Sequence, residues 1–200
     1  WAQPLRPTPT HPTCPHSSPS HPSHPPPGYT VLAGEIIDQL HSAQHPPPTH
    51  VLVNAGVGGL ASAICAHFWT RYGVDRPRFI CVEPAAADCL LHSAREGRME
   101  QIPPSSATTV QVGLDCKVPA QLAWNVLQTG ATDFVSVGDE VVQPCIQLLG
   151  SMEPPVLAGE SAVAGLGALI GAAAQPELAA TLGLGLDSRV VVIICEGRVK

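Results

Sequence analysis

The stretch His50-Val51-Leu52-Val53-Asn54-Ala55-Gly56-Val57-Gly58-Gly59-Leu60-Ala61-Ser62 decides how the chain is read. Its first part is a short β-branched apolar run bounded by glycine, the pattern of a strand buried on both faces. Its last part opens an apolar stretch at helical spacing, predicting a helix over Gly59–Tyr72. Between them the glycines let the backbone turn tightly and approach a ligand closely. A helix start placed there offers unpaired N–H groups and the positive end of a dipole to an anion, and phosphate is the natural occupant. A tight turn that binds nothing is the plainer reading.

The alternation continues on either side. Val31, Leu32, Ile36, Ile37 and Leu40 recur at helical spacing before Pro46-Pro47-Pro48. Downstream, a strand is expected at Arg78–Val82 and a helix from Ala85 to about Glu96. Pro119 reads as a first-turn proline opening a helix through Leu127. Asp133–Val137 is a strand, Asp139 is expected to cap the next helix, and Pro155-Val156-Leu157 suggests a short extended piece. Ser161–Ala174 is a helix of small residues, and Arg189–Ile194 is a last buried strand. Strands alternating with helices mean an α/β fold, a parallel sheet with helices on both faces.

Composition narrows the function. The chain has 200 residues and a net charge of −6. Its eight arginines and two lysines are too thinly spread for a basic nucleic-acid-binding stripe. No run of about 20 apolar residues is present for a membrane span. The seven cysteines are scattered with no C-x-x-C pair, so they predict neither a metal site nor a redox dithiol. Most are expected to be small buried hydrophobes, reduced in a cytoplasmic setting. Residues 1–27 are Pro/His/Ser-rich and are expected to be disordered. Residues 28–200 then form a single cofactor-phosphate-binding domain.

Two phosphate chemistries fit the glycine loop. Gly56-x-Gly58-x-x-Ala61 has dinucleotide spacing, and Glu83 stands about twenty residues further on, where it could hold a ribose hydroxyl of NAD. Alternatively, a glycine loop wraps the single phosphate of pyridoxal phosphate while a lysine holds the aldehyde. The loop's own physics leaves both open.

Other motifs favour the second. Gly28-Tyr29-Thr30 through Gln39-Leu40, then Thr49-His50-Val51 into Gly56-Val57-Gly58, resemble the diaminopropionate ammonia-lyase family, a tryptophan-synthase-β-like group of fold-type II pyridoxal-phosphate enzymes. The resemblance continues in order through Val82-Glu83-Pro84, Asp88-Cys89, Thr109, Gly113-Leu114 and Leu122-Ala123-Trp124. It then takes in Phe134-Val135-Ser136, Gly159-Glu160-Ser161, Gly165-Leu166-Gly167 and Glu196-Gly197. It implies pyridoxal 5'-phosphate as cofactor, with Gly56, Val57, Gly58, Gly59 and Leu60 around its phosphate and Glu160 near the pyridine ring. It also implies a small amino-acid substrate and a homodimer. A helix-start carboxylate favoured by the dipole is the plainer reading of Glu160.

The departures from the family carry chemical weight. The family's aldehyde-holding lysine and its proton-transferring acids lie upstream of the segment matched here. Lys117 and Lys200 match neither. Where the family has a Ser-Thr pair before Glu-Gly, placing a hydroxyl toward the pyridine nitrogen, this chain has Ile194-Cys195. The resemblance therefore implies a partial chain, a truncated paralogue or a chain joined to unrelated sequence at its front. Acting alone, it is expected to be inactive, with no residue assigned a catalytic role.

Overall fold

The computed structural model describes residues 27–103 and 107–197. The Pro/His/Ser-rich stretch up to residue 26 and Lys200 lie outside the described residues.

Four parallel strands form one sheet in the order β3-β2-β1-β4: β1 (His50–Asn54), β2 (Arg78–Pro84), β3 (Asp133–Val137) and β4 (Val190–Val192). All five residues of β1 are buried, whereas edge strand β4 is half-buried. The period-2 alternation of strand side chains divides the core between two faces. On one side Val51, Val53, Phe79, Cys81 and Phe134 meet α1 (Pro27–Ser42), α2 (Gly59–Tyr72), α3 (Cys89–Glu96) and α4 (Gln121–Gly130). On the other, Leu52, Ile80, Val82 and Val135 meet α6 (Ala164–Ala174) and α7 (Pro176–Leu182). Helices on both faces of a parallel sheet are what the alternating pattern predicts. A smaller cluster joins α5 (Val142–Gly150) to Ala158, Ala162 and Val163.

Several boundaries differ from the sequence reading, each for a visible reason. α3 starts at Cys89, not Ala85, because the Pro84 carbonyl captures the Ala87 N–H at 2.8 Å and holds a tight turn first. α4 starts at Gln121, beyond Pro119, because Ala120 is extended and spends its N–H on the Val57 carbonyl at 2.9 Å. The predicted Ser161–Ala174 helix is a short 3-10 turn, Glu160–Ala162, followed by α6 from Ala164. Residues 155–157 form no strand; next to them, Ala158 makes a single antiparallel bridge to Gly197. α7 was not anticipated, although Pro176 at its start, buried Leu178 and Leu182, and Gly183 in the left-handed region at its end are ordinary helix signals.

Asp139 does not cap α5. Its carboxylate turns instead to a distant loop, accepting the Thr109 hydroxyl at 2.5 Å, the Val110 N–H at 2.9 Å and the Gln111 side-chain amide at 3.3 Å. Partial burial acts to raise the Asp139 pKa, but these donors favour the charged form and hold it below the usual carboxylate value. The segment anchored this way runs on into Gly113–Cys116, one wall of the cleft.

Candidate cofactor-phosphate site

The glycine loop joins the C-terminal end of β1 to α2, the position where parallel α/β sheets bind ligands. Two backbone bonds hold it: Ala55 N–H to the Val82 carbonyl at 2.8 Å, and the Ala120 N–H to the Val57 carbonyl at 2.9 Å. Gly58 sits in the left-handed region at φ +93°, where a side chain is strained, and an added Cβ would also meet Ala123 at 3.0 Å. At Gly56 an added Cβ would meet Cys116 Sγ at 2.9 Å, so the loop packs directly on the 113–116 segment. At Gly59 an added Cβ would meet nothing within 4 Å.

A cleft of about 330 Å³ opens over this loop. Gly56, Val57, Gly58, Gly59 and Leu60 all line it. The first N–H groups of a helix have no partner within its own ladder. In α2 these belong to Gly58, Gly59, Leu60 and Ala61, and all four residues face the cleft. Backbone amides at the start of α2 thus face the cleft, an arrangement that favours an anion. Among the described residues the cleft has no lysine, arginine or histidine in its walls.

The facing wall comes from segments far along the chain. Ser161 is buried, and its hydroxyl oxygen accepts the Gly113 N–H at 2.9 Å. Cys195, which is exposed, and Glu196 complete that side. Buried Asn54 fastens this wall to the end of β1. Its side-chain amide donates to the Ala162 carbonyl at 2.9 Å and the Ile193 carbonyl at 2.8 Å, while its oxygen accepts the Gly165 N–H at 2.7 Å. The Asn54 amide also lies 3.5 Å from Cys195 Sγ, which lines the cleft together with Cys116. Cys65, Cys81, Cys89 and Cys145 are buried, and burial pushes the Cys65 thiol up to about 12.

Glu160 does not line this cleft. It lies in a separate groove of about 390 Å³ beside Gln143, Ile146 and Gln147 of α5. The tight turn at Glu160–Ala162 sends adjacent residues to different sides, so Ser161 enters the cleft and Glu160 leaves it. Ser161, Cys195 and Glu196 were not assigned as site residues from sequence. The available signals were the Gly159-Glu160-Ser161 and Glu196-Gly197 motifs and the departure at Ile194-Cys195, and none of them says which side chain faces inward.

Glu83 does not reach the cleft either. It is fully buried, and its two oxygens accept the Leu90 and Leu91 N–H groups at 2.8 Å each. Burial pushes its pKa well above the usual carboxylate range, while the two amides act the other way. It serves the N-terminus of α3, where Asp88 provides no side-chain cap. Fully buried and outside the cleft, this carboxylate is out of reach of a ribose, which removes the basis of the dinucleotide reading.

Lys117 is likewise away from the cleft. Its ammonium pairs with Asp115 at 2.7 Å and donates to the Ala86 carbonyl at 2.6 Å. Among the described residues no group of three His, Cys, Asp or Glu side chains could hold a metal ion. No helix among them is long and apolar enough to cross a membrane.

Fold and cleft together define a parallel α/β domain with backbone amides facing a cleft at the C-terminal end of its sheet. The chain belongs to the family described as pyridoxal-phosphate dependent enzyme, whose pattern matches residues 10–196. Its relatives include the diaminopropionate ammonia-lyase of Escherichia coli, 35% identical over 176 aligned residues, a match that covers 85% of this chain and 44% of that protein. The diaminopropionate ammonia-lyase of Salmonella typhimurium is 30% identical over 179 residues, with the same shares. The crystal structure of holo diaminopropionate ammonia lyase from Escherichia coli matches with a TM-score of 0.75 at 34% identity, covering 85% of this chain and 43% of that one. The fold is therefore the fold-type II, tryptophan-synthase-β-like one. The chain spans under half the length of these relatives.

The residues present fit pyridoxal phosphate at two ends of the molecule and not at a third. The α2 amides suit its phosphate, and the Ser161–Glu196 wall offers polar atoms to a ring. No amine among the described residues lines the cleft to hold the aldehyde.

Proposed function

We propose that this chain is the cofactor-phosphate-holding, C-terminal part of a pyridoxal-phosphate-dependent ammonia-lyase that converts 2,3-diaminopropionate to pyruvate and ammonia. The observation that carries the reading is the amide-lined start of α2 facing the 330 Å³ cleft, in a chain 35% identical to diaminopropionate ammonia-lyase.

In this reading the backbone of Gly56, Val57, Gly58, Gly59 and Leu60 holds the phosphate, with no cationic side chain needed. Ser161 and the Asp139-anchored loop keep the opposite wall in place. Glu160 has no part in the seat, because it opens on the groove beside α5. When bound, pyridoxal phosphate supplies an electron sink for charge developing at the Cα of an amino acid. The chain's own residues bind and orient; the amine that takes the aldehyde and the groups that move protons come from outside the described cleft. A homodimer and a cytoplasmic location belong to the same reading, and sedimentation and cell fractionation check them.

The test is made on a polypeptide that carries these residues together with an upstream lysine. It should show visible cofactor absorption that borohydride abolishes, and should release pyruvate from 2,3-diaminopropionate. Such a protein without that absorption would sink the reading. The 200-residue chain alone should release no pyruvate, and measurable turnover by it would overturn the need for an outside amine.

A further inference from the structure

Among the cleft's described lining residues, Glu196 is the one charged side chain. Its surroundings leave it room. An added Cβ on Gly159 would collide with Glu196 Oε1, and one on Gly113 would come within 3.4 Å of Glu196 Oε2 and 2.9 Å of Ser161 Oγ. The carboxylate therefore lies between two glycines, next to a buried hydroxyl. Its backbone is fixed as well: the Glu196 carbonyl accepts the Gly159 N–H at 3.0 Å, and the adjacent Gly197 bridges Ala158. Ser161 Oγ accepts the Gly113 N–H, and no hydrogen bond joins Ser161 to Glu196. Among the described residues no hydrogen bond or ion pair occupies the Glu196 carboxylate.

The Glu196 carboxylate is open to the solvent of the cleft, and a cationic group entering there gains a charge-assisted hydrogen bond from it. At the other side of the same cleft, the α2 amides favour an anion. A purely anionic ligand would gain from the amides and be repelled by Glu196. A ligand negative at one end and positive at the other satisfies both.

We infer that Glu196 receives a protonated nitrogen of the cleft's ligand, so that the cleft selects a phosphorylated pyridine in its ring-protonated form. The inference deepens the proposed function and rests on it. Glu196 lies across the cleft from the α2 amides, so a ligand with its phosphate on those amides can present a ring nitrogen to the carboxylate and gain a charge-assisted bond. Ring protonation deepens the electron sink, so Glu196 is a binding residue that also sets the electronic state of the ring. A protonated substrate amine is the other source of the same chemistry.

Pyridoxine 5'-phosphate tests this directly, since it has the ring nitrogen and the phosphate but no aldehyde and so needs no lysine. The full chain and its E196Q variant are titrated with pyridoxine 5'-phosphate, with inorganic phosphate and with 2,3-diaminopropionate, and the ultraviolet spectrum of the bound ring is recorded. E196Q should weaken pyridoxine phosphate binding roughly tenfold and leave inorganic phosphate binding unchanged. The bound ring should be protonated in wild type above the pH at which the free ring loses its proton, and neutral in E196Q. E196D should restore part of the affinity, and matched thermal unfolding excludes a folding defect. If E196Q unfolds, the wild-type ring spectrum decides by itself: a neutral bound ring overturns the inference. Loss in E196Q of diaminopropionate binding alone, with the ring spectrum unchanged, overturns the assignment of Glu196 to the ring nitrogen and makes the substrate amine its partner. Unchanged affinities and spectra overturn the inference while leaving the proposed function standing. Failure of wild type to bind either phosphate compound overturns both.

Discussion

Ser161 Oγ accepts the Gly113 backbone N–H at 2.9 Å, joining two loops 48 residues apart across one wall of the cleft. Ser161→Ala removes the bond while leaving the exposed Gly113 amide to water, so the stability cost should be modest, about 1 kcal/mol. Binding should suffer more, because the Gly113–Cys116 wall loses its tie beside the ligand. Urea unfolding and pyridoxine phosphate titration measure the two effects. Wild-type affinity in the alanine variant would show that the wall holds its position without this bond.

Gly58 and Gly59 are adjacent but should respond differently to alanine. Gly58 has φ +93°, and its added Cβ would press on Ala123 and Leu127 at 3.0 and 3.1 Å. Gly58→Ala should therefore cost about 1–3 kcal/mol. The Gly59 position is open and helical, so Gly59→Ala should keep stability within about 1 kcal/mol of wild type or raise it slightly. Chemical denaturation of the pair checks this, and equal losses would contradict the assigned geometry.

Glu83→Ala leaves two N–H groups at the start of α3 without their acceptor and empties a fully buried site. The expected loss is about 2–4 kcal/mol, read from the shift in denaturant midpoint. A variant as stable as wild type would show that Glu83 is not structural.

Burial lowers the pKa of His50 below its ordinary value, overcoming the help its ring receives from the Leu182 carbonyl at 3.1 Å. The unfolded chain therefore takes up this proton first as pH falls below about 6.5. The stability contributed by neutral His50 is full above that pH and is lost as pH drops toward the depressed folded value. The melting temperature should fall over this range, and His50→Gln should flatten the dependence. An identical pH profile in wild type and variant would exclude His50 as the source.

Much of the architecture was legible because its causes are local. β1 and α2 match the sequence reading end to end: a β-branched run and a helical apolar stripe, separated by glycine, fix backbone states within a few residues. The glycine turn that brings consecutive amides to the start of α2 was legible for the same reason, since it needs only one strand–turn–helix unit. Asp139 was misread as a cap for α5, and the ribose role weighed for Glu83 from its spacing was not realised, because only packing decides which groups a carboxylate meets. Asp139 turned to Thr109–Gln111, and Glu83 turned to α3.

By itself, then, the sequence determined the parallel α/β order, the glycine loop and, through its ordered motifs, the pyridoxal-phosphate family. Tertiary structure alone decided which acid meets the cleft. Glu160 and Glu196 are both carboxylates beside glycine in recognisable motifs, yet only Glu196 faces the anion seat. The reason is a wall assembled through contacts such as Asn54 to Ala162, 108 residues apart, and Asn54 to Ile193, 139 residues apart. Local patterning sets backbone conformation, whereas the direction of a loop side chain depends on partners that only the completed fold brings within reach.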